Sequence, residues 1–303
     1  MKNKSPKAIF AIVALLTLQT ILIFWLAISL ILILDPSSIL FLMILIFSAF
    51  VSALISLLIF NLSEQDPRTS SKQHRLVRFE SLSHPLMLRM SYEAPGTFHH
   101  AVNVSILAQK AAKAIGADAL LTRVAAYYHD LGKLDNPSLY IENQSGEEIP
   151  KTIDLIHIQS QVQKIIGHVK KGVELASQNH LPEDVINIIS EHHGTTQVLY
   201  FYELAKENKI KVKRTDFKYE GPSPKTKESA ILMLSDSVEA ATRSITNLTE
   251  DSIREIVETT IKDKVNDKQF KHSGLTENDF LLIKKSLLET LISIYHQRIL
   301  SSQ

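Results

Sequence analysis

The sequence predicts an all-α protein, a helical bundle preceded by a two-helix transmembrane hairpin, and three observations predict it. The first sixty residues hold two long uncharged apolar runs, the later chain repeats apolar residues at helical spacing between recognisable caps, and alternating strand patterns are scarce. Composition agrees: of 303 residues 45% are apolar and 21% charged, and 33 Lys+Arg nearly balance 32 Asp+Glu. That balance argues against a nucleic-acid polymer held by bulk charge, and the apolar fraction argues against disorder. Cysteine is absent, which excludes disulfides, thiolate metal sites and a cysteine nucleophile. Any metal must be held by His and carboxylates.

Ala8 to Leu34 and Ile39 to Phe60 carry no charged residue, and each is long enough to cross the roughly 30 Å hydrocarbon layer as a helix. Asp35-Pro36-Ser37-Ser38 supplies the turn between them. Lys2, Lys4 and Lys7 precede the first run and Arg68, Lys72, Arg75 and Arg78 follow the second, so the positive-inside rule places both flanks in the cytoplasm. A cleaved signal peptide has a shorter apolar region, of roughly 7 to 15 residues. Gln19 in the first run suits a hydrogen bond across the hairpin or to a partner helix. Ser63 to Arg78, polar and interrupted by Pro67, suits a juxtamembrane linker or the start of a connecting helix. The expected organisation is a hairpin over 1–61, a linker over 62–85 and a helical domain over 86–303.

Within that domain Val104, Leu107, Ala108, Ala111 and Ile115 share one helix face, and Gly116 ends the helix. Asp118 caps a second helix running to about Leu131. Pro182 opens a third before Glu183 and Asp184, with Gly194 closing it, and Thr276-x-x-Asp279 is a capping box for the last long helix. Lys209 to Lys218 gives the one weak hairpin signal.

The twelve histidines include His99-His100, His129-Asp130, His168 and His192-His193, while Asp236 lies in the apolar run Ala230 to Asp236. Imidazole and carboxylate are the donors that a borderline or hard divalent ion takes when thiolate is missing. A His-Asp dipeptide at a helix end lets one carboxylate oxygen meet the ion its neighbour grips while the other reaches a second ion, which makes Asp130 a candidate bridge. His192-His193 can converge on a second ion, and an aspartate among aliphatics such as Asp236 needs a positive partner. Isolated histidines such as His157, His180, His272 and His296 read as surface or core residues.

The order His, His-Asp-x-Gly-Lys, His, His-His-Gly-Thr, Asp resembles the signature of HD-domain metallophosphohydrolases. Pro95 to His100, Tyr127 to Lys133, Ile141-Glu142-Asn143-Gln144, Glu191 to Thr196 and Leu234 to Arg243 are similar to the PgpH-type branch, bacterial membrane-anchored cyclic di-AMP phosphodiesterases. The resemblance runs from roughly Leu86 to Ile299 and implies an HD-domain helical bundle. It further implies His100, His129, Asp130 and Asp236 around one ion, and Asp130, His168, His192 and His193 around the other. His100 is preferred to its neighbour His99, which is read as a surface residue or as one that supports a ligand without touching the ion. The cofactors implied are two divalent ions, iron or manganese favoured, though zinc or nickel would also bind such donors.

The activity implied is hydrolysis of cyclic di-AMP to linear pApA by a hydroxide shared between ions roughly 3.5 to 4 Å apart. Asp130 and Lys133 are the catalytic candidates. Lys133, Thr195, Thr196 and Arg243 are candidates for substrate phosphate or ribose, with a surface salt bridge as the other reading of Lys133 and pairing with Glu239 as that of Arg243. Expected partners are a cyclic dinucleotide and the lipid bilayer, with no nucleic-acid polymer and a homo-oligomer left open. The expected location is the bacterial inner membrane, multi-pass, with the domain and both termini cytoplasmic.

The sequence also departs from that branch. PgpH-type proteins belong to a seven-transmembrane group with a large extracytoplasmic region, whereas two apolar runs and no such region occur here. Glu148-Ile149-Pro150-Lys151 stands where an Asn-Pro-His-Asp-like segment is usual. The basic stretch from Lys206 through Lys209, Lys211, Lys213, Arg214, Lys218 and Lys225 to Lys227 reads as a solvated loop, with steering of an anion or contact with acidic lipid as the alternatives. Two other functions remain open: an HD hydrolase acting on a mononucleotide, cyclic di-GMP or an alarmone, and an inactive nucleotide-binding membrane scaffold. The lack of a Gly-Tyr-Pro continuation after His193 speaks against cyclic di-GMP, and the full set of candidate ligands speaks against the scaffold.

Overall fold

The computed structural model describes residues 75–144 and 155–301, with isolated positions 24, 25, 27, 28, 46, 47 and 50. Contacts divide the chain into a unit over 1–74 and a unit over 75–303. The expected spans over 8–34 and 39–60 lie outside the described residues except at those isolated positions, which are helical, with Trp25, Ile46, Phe47 and Phe50 exposed. Among the described residues no helix is long and apolar enough to cross a membrane. The departure at Glu148 to Lys151 also lies outside the described residues.

The second unit begins at Arg75 rather than at Leu86. Residues 75–80 are helical, Leu76 and Phe79 are buried in the main core, and the Tyr128 hydroxyl donates to the Phe79 carbonyl at 3.1 Å. The end of the Ser63 to Arg78 stretch is thus helical, the second of its two readings, and its Leu76 joins the core. Helix α1 (Pro85–Glu93) leads directly into α2 (Pro95–Ala114), each with proline at its start, where a missing N–H costs no helical bond. Along α2 the residues Val104, Leu107, Ala108 and Ala111 are buried as their spacing predicts, and Gly116 leaves the helix at φ +69°.

Asp118 caps α3 (Ala119–Tyr128), its carboxylate accepting from the Leu121 amide at 3.0 Å. This helix stops at Tyr128, short of the expected Leu131. Leu131–Asp135 winds instead as a 3-10 turn, because Gly132 is pressed against the next long helix, α4 (Leu155–Gln178). A Cβ at position 132 would lie 1.9 Å from the His168 carbonyl oxygen, a separation no side chain can occupy.

Helix α5 (Glu183–Glu191) follows Pro182 and carries Glu183 and Asp184 in its first turn, where the helix dipole favours negative charge. Gly194 turns the chain away at φ +54°. After α6 (Leu199–Glu207) the expected hairpin does not form. Residues 214–217 make a 3-10 turn and Lys218 forms a single bridge to Gln197, because Phe217 is drawn under α4 into a small cluster with Ile158, Val162 and Ala205. Burial of one aromatic outweighs the few hydrogen bonds that strand pairing would add there.

Three threonine caps open the remaining long helices. Thr226 opens α7 (Lys227–Ser244), Thr249 opens α8 (Glu250–Asn266), and Thr276 opens α9 (Glu277–Ile294) through the predicted box with Asp279. The short α10 (His296–Ser301) follows. Helix α2 packs against α3, α7 and α9, and α7 also meets α3, α5 and α8. Ala230 to Leu234 are buried on every side, which is why that stretch of α7 reads as continuously apolar. The described residues form an all-helical bundle and contain no strand.

Candidate metal centre

Helix α2 brings His100, the end of α3 brings His129 and Asp130, α4 brings His168, the turn after α5 brings His192 and His193, and α7 brings Asp236. All are buried except His193, which is half-buried. His129 is still helical while Asp130 has left the helix at φ −99°, ψ 16°, so its carboxylate turns across the helix ends.

The two oxygens of Asp130 face different groups. Oδ2 lies 3.2 Å from His129 Nε2 and 3.7 Å from His100 Nε2. Oδ1 lies 3.4 Å from His168 Nε2 and 3.9 Å from His192 Nε2. The potential ligand atoms accordingly gather as His100, His129 and Asp130, and as Asp130, His168, His192 and His193, with the atoms of each group within 4.8 Å of one another. Asp236 touches both: Oδ1 lies 3.0 Å from His100 Nε2 and 3.8 Å from His129 Nε2, and Oδ2 lies 3.8 Å from His193 Nδ1.

Three rings are aimed by their own helical turns. Nδ1 of His129 meets the Ala126 carbonyl at 2.7 Å, that of His168 meets Ile165 at 2.5 Å, and that of His192 meets Ile189 at 2.6 Å. A carbonyl only accepts, so each Nδ1 donates and each Nε2 is turned toward the centre. The Nδ1 of His100 meets the Glu239 carboxylate instead.

Burial depresses His192 to about 3 and, with the crowding of His192 and His168, takes His193 well below the ordinary imidazole value. Burial also lowers His168. At His129 burial is outweighed by Asp130 and Asp236, which lift it to about 10. Burial would raise both aspartates, but His129 and Lys133 hold Asp130, and His100 and His129 hold Asp236, well below the usual carboxylate range.

The donor set fits a cation. His168 Nε2 and His192 Nε2 stand 3.3 Å apart, and with both Nδ1 atoms donating to carbonyls, two lone pairs face each other. Asp130 Oδ1 is buried without a hydrogen bond, while Oδ2 has the Lys133 ammonium at 2.8 Å. Unsatisfied acceptors converging at such distances are unfavourable unless a positive ion joins them, and nitrogen and oxygen without thiolate suit a borderline or hard divalent ion.

Residues 97–241 match the HD domain family. The chain is 44% identical over 225 residues to the cyclic-di-AMP phosphodiesterase PgpH of Listeria monocytogenes serotype 1/2a (strain 10403S) and 40% identical over 225 residues to that of Bacillus subtilis (strain 168), covering 74% of this chain and 31% of each relative. The crystal structure of the L. monocytogenes PgpH HD domain superposes with a TM-score of 0.66 at 43% identity, covering 71% of this chain and 100% of that one. The same domain in complex with cyclic-di-AMP gives 0.66 at 44%, covering 71% and 99%. The chain belongs to the HD-domain family. It spans about a third of the length of the curated relatives it matches.

In this HD domain six of the expected ligand residues gather in the two groups and Asp236 lies against both, while His99 is exposed beside Phe98. A cavity of about 640 Å³ opens on the centre, lined among others by His100, Lys133, Glu142, Tyr219, Arg243 and Lys264. The Lys133 ammonium is largely buried, 2.8 Å from Asp130 Oδ2, 2.7 Å from Glu142 Oε1 and 5.0 Å over the Tyr140 ring. This is not the surface salt bridge the sequence left open. Thr196 lines the cavity and donates its hydroxyl to the His193 carbonyl at 2.8 Å. Thr195 does not line it: Gln269 Oε1 accepts from its amide at 3.1 Å and Gln269 Nε2 donates to its hydroxyl at 2.9 Å. Arg243 faces Glu142 Oε2 at 3.9 Å rather than Glu239 one turn earlier in α7. None of the basic residues from Lys206 to Lys227 lines the cavity.

Sequence reasoning missed Glu142, Tyr219, Glu239 and Lys264 as site residues. Glu239 had a signal, since it follows Asp236 by three residues and so shares its face of α7. Glu142 lay within a quoted motif. Tyr219, stacked on His193 with centroids 4.2 Å apart, and Lys264 in α8 had none.

Proposed function

We propose that this chain is a phosphodiesterase that opens cyclic di-AMP to linear pApA at a centre holding two divalent ions, iron or manganese. One observation carries the reading: a single buried carboxylate, Asp130, turns one oxygen to each of two imidazole groups, and His100, His168, His193 and Asp236 of those groups line an open cavity. Relatives named cyclic-di-AMP phosphodiesterase, and a PgpH HD domain in complex with cyclic-di-AMP, support the substrate. When bound, such ions supply Lewis acidity to a hydrolytic water and to the phosphate oxygens.

The chain's own residues supply the rest. His168, His192 and His193, kept neutral by burial, and the ionised Asp130 and Asp236 form a donor cage with His100 and His129 whose orientation is set before any substrate arrives. Lys133 brings a fixed ammonium beside Asp130, where it stabilises negative charge growing on the phosphate oxygens. Arg243 and Thr196 line the approach and take the substrate's second phosphate and a ribose. Water's oxygen forms the new bond to phosphorus, the ribose 3′ oxygen leaves with a proton, and the ring opens to a linear dinucleotide with a 5′ phosphate.

The domain is placed at the cytoplasmic face of a bacterial inner membrane, with two spans over 8–34 and 39–60. The uncharged lengths of those runs, the lysines before and the arginines after them, and the exposure of Trp25, Phe47 and Phe50 support this placement. The test is the full chain in detergent with manganese or ferrous iron and a panel of cyclic dinucleotides and mononucleotides, assayed by chromatography. Appearance of pApA is expected. Turnover of another nucleotide with cyclic di-AMP untouched overturns the substrate, and binding without turnover makes the chain a scaffold.

A further inference from the structure

We propose that Glu239 is the positioning residue that fixes the ring and tautomer of His100, with Tyr295 at the end of α9 holding Glu239 in place; the inference rests on the metal reading above. His129, His168 and His192 need no such help, because a carbonyl three residues earlier on the same helix orients each ring. His100 sits near the start of α2, and the partner of its Nδ1 comes from a residue 139 positions further along the chain.

Glu239 is completely buried, and its two oxygens serve three donors. Oε2 faces His100 Nδ1, while Oε1 accepts from the Tyr295 hydroxyl at 2.9 Å and from Asn103 Nδ2 at 3.2 Å. A carboxylate offers only acceptors, so His100 Nδ1 must donate to it. Nε2 is then the atom left for the centre, where it already stands 3.0 Å from Asp236 Oδ1. Burying a carboxylate is costly, and without this one the His100 ring would be held only through its Nε2 contact with Asp236. Tyr295, itself buried, lies beyond the residues 97–241 that match the family, so the C-terminal helices form part of the centre rather than packing alone.

Replacing Glu239 by Gln makes the geometry testable with almost no change of shape. Tyr295 and Asn103 both donate at the Oε1 position, which favours the amide oxygen there and sets the amide nitrogen against His100 Nδ1. Two donors cannot share one bond, so the ring proton moves to Nε2 and that nitrogen no longer offers a lone pair. The effect is confined to the group of His100, His129, Asp130 and Asp236.

The experiment is titration of the full chain in detergent with Mn2+, followed by loss of the free-ion EPR signal. The parent protein is expected to show two binding steps. Glu239→Gln weakens one step by roughly 10- to 100-fold and leaves the other unchanged; Tyr295→Phe, which keeps the carboxylate and removes one donor, weakens the same step by about fivefold or less. Unaltered binding in both variants overturns the proposal, as does equal weakening of both steps, which would mark a general structural role. Should Glu239→Gln fail to fold, Tyr295→Phe decides alone: a selective loss supports the proposal and none overturns it. A parent protein that binds no Mn2+ overturns the metal reading itself, a separate outcome.

Discussion

Around Asp130 and the imidazoles side chains are fixed by several partners at once, whereas Arg243 and Lys264 on the cavity lining are held loosely. Lys133 is locked between Asp130 and Glu142 and lies over Tyr140. Arg243 stands 3.9 Å from its nearest carboxylate oxygen, and Lys264 has no ion pair among the described residues. The difference teaches where rigidity is needed. Groups that must meet a reacting atom are pre-oriented, while groups that grip a flexible anion retain freedom to adapt.

Changes in the fixed region should therefore act on turnover and stability, and changes in the loose region on substrate affinity. The largest effect is expected from Asp130→Ala, which removes an oxygen from both groups: turnover of cyclic di-AMP falls by at least ~10³-fold and Mn2+ titration loses both steps. Retained turnover would show that the carboxylate is not shared.

Gly132→Ala comes next. Its methyl would fall 1.9 Å from the His168 carbonyl oxygen, so the 3-10 turn and α4 must separate, costing about 3 kcal/mol or more in denaturant unfolding and displacing His168 from Asp130. Lys133→Met keeps length and removes charge, and is expected to lower kcat by roughly 10²-fold with a smaller effect on KM. On the loose side, Lys264→Ala is expected to raise KM for cyclic di-AMP by about tenfold or less at nearly unchanged kcat. An equal drop in kcat would place Lys264 with the fixed groups and erase the distinction.

A pH experiment on metal-free protein sharpens the same comparison. His192 is depressed to about 3 in the folded state, below the ordinary imidazole value of 6.5. Below pH 6.5 the unfolded chain takes up a proton that the folded chain refuses, so the contribution is fully present above 6.5 and is lost as pH falls toward 3. Asp130 and Asp236, also depressed, act in the same direction at lower pH. Chelator-treated protein should show a falling denaturation midpoint from pH 7 to 5; a flat profile would mean that the imidazoles are not buried as described.

Much of the centre was legible because its residues fall in an ordered set of short motifs, each on a segment with its own helix signal. His129-Asp130, His168 and His192-His193 depend on local winding for their orientation, and local winding is what spacing reports. The end of α3 was misjudged for the opposite reason: the helix stops at Tyr128 because Gly132 meets α4, a contact between segments far apart in sequence. Thr195 is held by Gln269 away from the cavity, and Arg243, which does line it, pairs with Glu142 instead of Glu239, because Gln269 and Glu142 come from other elements. Phe217 turned an apparent hairpin into a buried 3-10 turn, because a single aromatic gives no period from which to predict burial. Tyr219 and Lys264 enter the cavity from segments with no motif at all.

The elevated His129, held at about 10 by Asp130 and Asp236, has a calorimetric consequence. At neutral pH that imidazole carries a proton on the nitrogen a cation would need, so loading the centre must expel hydrogen ions into the solvent. The observed heat of loading will then vary with the ionisation enthalpy of the buffer, and the slope of that variation counts the protons displaced.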